Sequence, residues 1–309
     1  MIVVIALVFS IAAGALLSFI FGRRVERTVS DATYTPPEER STVELDGVTY
    51  VRDRSVRAYL FLGVDDVGVS YDEYGRGGRT DTILLLVKDG GKMRILEISR
   101  DTMTEVDTYD VAGDYLSTGV MQINMQYSFG DSPRRSAFLT KRAVSSLLGD
   151  VEINGAVSLD MSGISPIVNA LGGIDVIMEE DCTYINPDYA EGAAVHMDGG
   201  EAENFIRWRD KSVGANDVRM SRHSWFIRQM LESFRGRDIT ALLDVADPYV
   251  NTDLRTDEMK SLFETELTST VRLPGESRRG AIHDEFYVDR EELEKVVVDL
   301  FYKRADGKD

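Results

Sequence analysis

The stretch RTDTILLLVKDGGKMRILEISRD, residues 79–101, limits the fold more than any other part of the chain. Its two apolar runs joined by Asp89-Gly90-Gly91 read as an antiparallel hairpin, because glycine supplies the backbone angles that a tight turn needs. With Gly90-Gly91 as the turn, Asp81 lies opposite Arg100. With Asp89-Gly90 as the turn, Asp81 lies opposite Ile98 and Arg100 is one step beyond. Either register gathers Arg79, Asp81, Arg100 and Asp101 at the end of the hairpin away from the turn. Taken alone, that is also what an ordinary cross-strand ion pair looks like.

Before the hairpin, RAYLFLGVDD is an apolar run that ends in Asp65-Asp66, so Asp65 is expected at a strand end, followed by the Gly-rich loop GVSYDEYGRGG. If that strand pairs beside the hairpin, Asp65 and Asp81 meet the arginines at one sheet edge, where ligands of α/β proteins favour binding. From about residue 116 the pattern reads as helical. Ser132-Pro133 is expected to cap a helix over RRSAFLTKRAVSSLLG, and ISPIVNALGG, GGEAENFIRWRD and NDVRMSRHSWFIRQMLESF read as further helices. The last, DREELEKVVVDLF, opens with a capping-box pattern, Asp289 to Glu292. Strands mixed with helices and no repeat predict one α/β domain over 57–303, with 304–309 as a tail.

The segment Ile2–Phe21 carries no charge, and at ~1.5 Å rise per residue a helix of that length crosses a hydrocarbon layer of ~30 Å. A transmembrane anchor over 1–22 is expected, followed by a polar linker over 23–56 containing Pro36-Pro37 and one short strand at GVTYV. A cleaved signal peptide is the alternative, since Ala13-Gly14-Ala15 resembles a small-residue cleavage site, but the apolar run continues beyond it without a basic leader. Arg23, Arg24 and Arg27 follow the span, and by the positive-inside rule they favour a cytoplasmic body.

A formal charge of −18, from 53 acidic and 35 basic residues, argues against nucleic acid as a partner, whose phosphates call for clustered lysine and arginine. The one cysteine, Cys182, allows no internal disulfide, and His196, His223 and His283 lack zinc-ligand spacing. Against this acidic background the arginines stand out. Arg207 and Arg209 flank Trp208, and Arg219 and Arg222 lie three apart at the start of a helix, on one face. Arginine's planar fork suits phosphate, and two carboxylates beside such a cluster make sense if they hold a divalent cation, for which oxygen ligands favour magnesium. The residues therefore predict a metal and arginine clamp on a diphosphate.

In order along the chain, FLGVDD, RTDTILLLV, LEISRDT, QINMQYSFG, ALGGIDV, FIRWRD and DVRMSRH resemble the LytR-CpsA-Psr family of cell-wall glycopolymer ligases, over about Arg57 to Phe301. The resemblance implies an α/β/α domain, a mixed central sheet sandwiched between helices, held outside the cytoplasm by a single-span anchor. That location conflicts with the arginines after the span. The implied activity is transfer of a glycopolymer from a polyprenyl-pyrophosphate lipid to peptidoglycan, releasing the lipid phosphate, with an apolar cavity between sheet and helices for the lipid tail. It also implies Mg2+ held by Asp65 and Asp81, a pyrophosphate site of Arg79, Arg100, Arg207, Arg209, Arg219, Arg222 and His223, and Asp217 as a general base. The arginines and metal would stabilise charge on the pyrophosphate as the sugar–phosphate bond breaks. Ser99 stands where the family has proline. The late motif is one residue shorter between Asp217 and Arg219 and ends in His223 rather than glutamine, which puts the roles of Arg219 and His223 in question. The same residues would also serve a hydrolase acting on that lipid, or a polyprenyl-phosphate-binding regulator without turnover.

Overall fold

The computed structural model describes residues 39–65, 78–110, 112–208, 215–235 and 240–307. The expected anchor, the first part of the linker, Asp66 and Arg209 lie outside these residues, as does the side chain of Asp217. In chain order the elements are β1 (Thr42–Leu45), β2 (Val48–Arg52), β3 (Arg57–Asp65), β4 (Arg79–Asp89), β5 (Lys92–Ile98), β6 (Met103–Tyr109) and β7 (Tyr115–Gln122). After a 3-10 turn over Ile123–Phe129 come α1 (Pro133–Leu147), β8 (Gly155–Asp160), α2 (Ile164–Ala170), β9 (Ile174–Ile177), β10 (Ala194–Met197), α3 (Gly199–Arg207) and α4 (Ala215–Phe234). The chain continues through α5 (Thr240–Ala246), β11 (Val250–Thr252), α6 (Thr256–Phe263), β12 (Glu266–Arg272), β13 (Gly275–Arg279), β14 (Asp284–Val288), α7 (Arg290–Phe301) and β15 (Tyr302–Arg304).

The central sheet runs β11-β8-β3-β4-β5-β12. The β3–β8 and β5–β12 pairs are parallel and the rest antiparallel, so the sheet is mixed. Alternation along β4 fills both its faces. Leu84 and Leu86 join a core with Phe205 of α3 and Phe226 and Ile227 of α4. Ile83, Leu85 and Val87 join a second core with Val144 and Leu147 of α1 and Val297 and Phe301 of α7. A sheet buried on two sides by helices is an α/β/α sandwich, and it explains why the hairpin strands are almost continuously apolar.

The turn is Gly90-Gly91: Ile83 faces Ile98 and Asp89 faces Lys92, with Gly90 at φ 56°. Caps explain the helix starts. The N–H of Arg135 donates to the Ser132 hydroxyl ahead of Pro133, and Asp289 accepts from the N–H groups of Glu291 and Glu292. Glu292, expected to complete a box there, instead accepts from Lys295 at 2.6 Å. The reciprocal box is on α3, between Asp198 and Glu201.

Three expectations are corrected. The linker does not extend to residue 56: β1 and β2 pair with each other and with the C-terminal β15, so Arg304, the first residue of the expected tail, also belongs to the body. Arg52, 5% exposed, fixes this layer by donating to Glu39 at 2.5 Å and to the Phe301 carbonyl at 3.1 Å, with its guanidinium over the Phe301 ring. Residues 115–122, expected to begin a helical region, form β7 against β6 instead. No helix among the described residues is long and apolar enough to cross a membrane.

α3 starts tight against α2. The N–H of Gly199 donates to Asn169 Oδ1 at 2.9 Å, and a Cβ on Gly199 would lie 2.2 Å from the Ser165 carbonyl oxygen. Gly199→Ala is therefore expected to cost on the order of 1–3 kcal/mol as α3 is pushed off α2. Urea denaturation checks this, and an unchanged midpoint would contradict the close packing.

Candidate functional site

The site forms where the hairpin opens. On β3, Gly63 faces Thr82 and Val64 faces Thr80, so the pairing slips by one residue and Asp81 is the extra residue on β4. Strict alternation would aim Asp81 with Ile83 and Leu85 toward α1 and α7. The bulge turns it so that its carboxylate meets Arg219 of α4, on the opposite layer, as bulges beside sites commonly do. Asp81 is 4% exposed and holds two guanidinium groups, Arg100 on Oδ1 and Arg219 on Oδ2. A carboxylate this deep would be costly to ionise without them.

Arg100 sits on a turn after β5. The Thr102 N–H and hydroxyl donate to the Ser99 carbonyl at 3.1 and 2.6 Å, and the Asp101 N–H donates to the Ser99 hydroxyl at 3.3 Å. Serine in place of proline thus contributes a side-chain bond to the turn itself. Asp101 is also buried; it lies 3.5 Å from Arg100 Nε and accepts from Gln122 Nε2 at 2.7 Å. Asp65, at the end of β3, faces Arg79 in register. Its carboxylate lies 3.7 Å from Arg207 at the end of α3 and 3.8 Å from Arg219. Arg207 also donates to Glu203 at 2.9 Å.

These side chains border a cleft of about 250 Å³ lined by Asp65, Met161, Ile206, Arg207, Arg219 and His223. That volume suits a head group rather than a long lipid. Among the described residues its charges nearly cancel: Asp65, Asp81, Asp101 and Glu203 stand against Arg79, Arg100, Arg207 and Arg219. A diphosphate can enter only as these pairs rearrange.

The structure thus brings together Asp65, Asp81, Arg100, Arg207 and Arg219, with Arg79 exposed on the rim. It does not bring in Arg222. That guanidinium is buried, donates to the Trp208 carbonyl at 2.5 Å, and lies over the Phe205 and Trp208 rings. The expectation that Arg222 shares a phosphate-facing surface with Arg219 is corrected: the carbonyl at the end of α3 and two aromatic faces have captured it.

His223 is corrected likewise. It lines the cleft, but Nε2 bonds to the Ile206 carbonyl at 2.8 Å and Nδ1 to the Thr82 hydroxyl at 3.2 Å. A carbonyl can only accept, so Nε2 carries the proton and Nδ1 accepts from Thr82. Burial, aided by the positive charge of Arg219, lowers its pKa to about 3, so the ring stays neutral. It ties α3, α4 and β4 together beneath the arginines. Asp101 was expected at the open end of the hairpin; Thr82 and Gln122, which help orient the site, carry no signal of their own, although each sits inside a quoted motif, RTDT and QINMQ.

Magnesium can be tested against the donor set. Asp65 and Asp81 converge from two strands on one nitrogen, Arg219 Nη2, so a cation already occupies the point between two hard oxygen ligands. The residues fit a divalent ion, provided that Arg219 yields that place. No group of three or more histidine, cysteine or acidic side chains poised for a metal occurs among the described residues.

The protein is thus an α/β/α sandwich with arginines and carboxylates gathered at the open ends of its central strands. The profile of the LytR_cpsA_psr family matches residues 21–300, and the chain belongs to this family. It is 26% identical over 235 residues to the polyisoprenyl-teichoic acid–peptidoglycan teichoic acid transferase TagU of Bacillus cereus, covering 72% of this chain and 70% of that protein. With TagV of Bacillus subtilis, a transferase of the same description, it is 26% identical over 257 residues, 77% of this chain and 62% of TagV. The fold matches the crystal structure of B. subtilis TagV with a TM-score of 0.61 at 24% identity, over 80% of this chain and 96% of that one. It also matches TagT bound to LIIa-WTA, with a TM-score of 0.60 at 18% identity over 80% and 90%.

The buried neutral histidine makes a pH prediction. The unfolded chain binds a proton at His223 near pH 6.5, the folded one only near 3. The stability contributed by the neutral ring is therefore present above pH 6.5 and lost as pH falls toward 3, at up to about 1.4 kcal/mol per pH unit. His223→Gln, which keeps a donor and an acceptor but does not titrate, should lack this loss. Urea midpoints of the two proteins at pH 7.5 and 5.0 check it, and parallel losses would show that the ring is not held neutral.

Proposed function

We propose that this chain transfers a glycopolymer from a polyprenyl-pyrophosphate carrier to peptidoglycan, with its folded body outside the cytoplasm behind an anchor at Ile2–Phe21. The observation that carries this reading is the convergence of Arg100, Arg207 and Arg219 with Asp65 and Asp81 at the open end of the hairpin. The names of its relatives support the substrate class.

Releasing a lipid monophosphate requires the bridging P–O–P bond, rather than the sugar–phosphate bond, to break. An acceptor hydroxyl bonds to the sugar-side phosphorus, its proton passes to a base, and the lipid phosphate leaves with the bridging electrons. Arg100, Arg207 and Arg219 bind the phosphate oxygens and stabilise the charge that grows on them. Asp65 and Asp81 are the residues that would hold Mg2+, which when bound supplies further neutralisation of the diphosphate. Asp217, at the start of α4, is the candidate base, and Arg209 a further phosphate ligand.

Lipid-linked donor assayed with and without peptidoglycan tests the proposal. Turnover should depend on the acceptor, and Arg207→Ala, a change at a 45% exposed side chain, should lower it about a hundredfold. Equal turnover without acceptor would make the protein a hydrolase. Lipid binding with no turnover in either arm would make it a binding protein.

A further inference from the structure

Beside the arginine cleft stands an aromatic pair that the phosphate chemistry does not use. Trp208 follows Arg207 directly, with an extended backbone after the last turn of α3. Its ring lies 4.6 Å, centroid to centroid and tilted 50°, from the ring of Tyr184, which comes from the segment between β9 and β10 and is 46% exposed. The pair is braced from several sides. Arg222 lies 5.5 Å beneath the Trp208 ring and holds the Trp208 carbonyl, and Cys182 Sγ lies 3.7 Å from the Tyr184 hydroxyl. Arg222 is itself 6% exposed and rests on Phe205. An arginine buried beneath a partly buried tryptophan makes a rigid, ready-formed surface whose exposed half is Tyr184.

That surface lies next to the phosphate site by two routes. Arg207, one residue away, reaches Asp65 in the cleft, and Arg219, one helical turn before Arg222, reaches Asp81. Trp208 is thus one residue from a cleft-lining arginine, within reach of a group attached to a diphosphate held there. Pyranoses present an apolar face of C–H groups that packs on aromatic rings while their hydroxyls stay in water, which suits a half-exposed aromatic pair better than a fully buried one.

We propose that Tyr184 and Trp208 form a sugar-stacking subsite that receives a pyranose ring adjoining the pyrophosphate. The proposal rests on the transferase reading for its substrate class. The sugar comes either from the polymer on the donor lipid or from the peptidoglycan acceptor; the stacking chemistry is the same for either.

Calorimetric titration of the full chain with Mg2+ present separates the sources. The probes are polyprenyl pyrophosphate, the same lipid bearing one N-acetylglucosamine, and chitotetraose as an acceptor mimic. Tyr184→Ala should weaken binding of one sugar-bearing probe about fivefold and leave polyprenyl pyrophosphate unchanged. Tyr184→Phe, which keeps the ring, should bind as the wild type does. Selective loss for the glycosylated lipid places the donor sugar on the rings, and selective loss for chitotetraose places the acceptor there. Affinities of Tyr184→Ala unchanged from the wild type for every probe, or an equal loss for the bare lipid, would overturn the subsite. Failure of the wild type to bind either lipid would instead count against the transferase reading, and the chitotetraose arm would still decide on the rings.

Discussion

The structure of the site depends on one buried carboxylate. Asp81 is almost wholly removed from water and is held between Arg100 and Arg219, one from the turn after the neighbouring strand and one from the helix layer above. An ionised group so placed would be expelled, or would be protonated, without its partners, so the two arginines are fixed where Asp81 is. The bulge that turns Asp81 toward α4 is therefore as much a part of the site as the charges are. Two arginines are thereby gathered on one carboxylate in a chain of net charge −18, with Asp65 and Asp101 close enough to balance them.

The helix layer is anchored to that cluster by a neutral group. Placing a protonated histidine among Arg100, Arg219 and Arg222 would add charge to charge, and the Ile206 carbonyl and Thr82 hydroxyl together specify a single uncharged tautomer. The consequence is mechanical. The end of α3, which carries Arg207, is tied to the turn of α4 that carries Arg219, and this turn is tied to β4 beside Asp81. The aromatic pair belongs to the same assembly, because Arg222, bound to the Trp208 carbonyl, fixes the chain immediately after Arg207. On the proposed reading, near-parity of charge in the cleft has a consequence: a phosphate oxygen that took an arginine would free a carboxylate, which would then need a positive partner.

The hairpin and its register were readable from the sequence, because two glycines fix a turn and a turn fixes which residues face each other. The Asp81–Arg100 neighbourhood follows from that arithmetic alone, and the strand-end position of Asp65 follows from the apolar run that it closes. Helix starts at Ser132 and Asp289 were readable for the same reason: a cap is a local bond. What escaped was decided by distant partners. Residues 115–122 carry no clean alternation, since β7 leaves most of its side chains in water and pairs only with β6. That residues 42–52 belong to the body is hidden because their partners, the Phe301 carbonyl that Arg52 bonds and strand β15, lie at the far end of the chain. Helical spacing correctly put Arg219 and Arg222 near each other but could not show that Arg222 would be taken by Trp208. The family itself was legible because the motifs, each weak alone, are specific in their order.

The most direct measurement is a crystal structure of the protein with polyprenyl pyrophosphate and magnesium. The account predicts phosphate oxygens on Arg100, Arg207 and Arg219, with Asp65 and Asp81 turned to the metal and Arg219 moved off the point it now shares with them. A diphosphate bound elsewhere, with Arg100 and Arg219 still closed on Asp81, would contradict it.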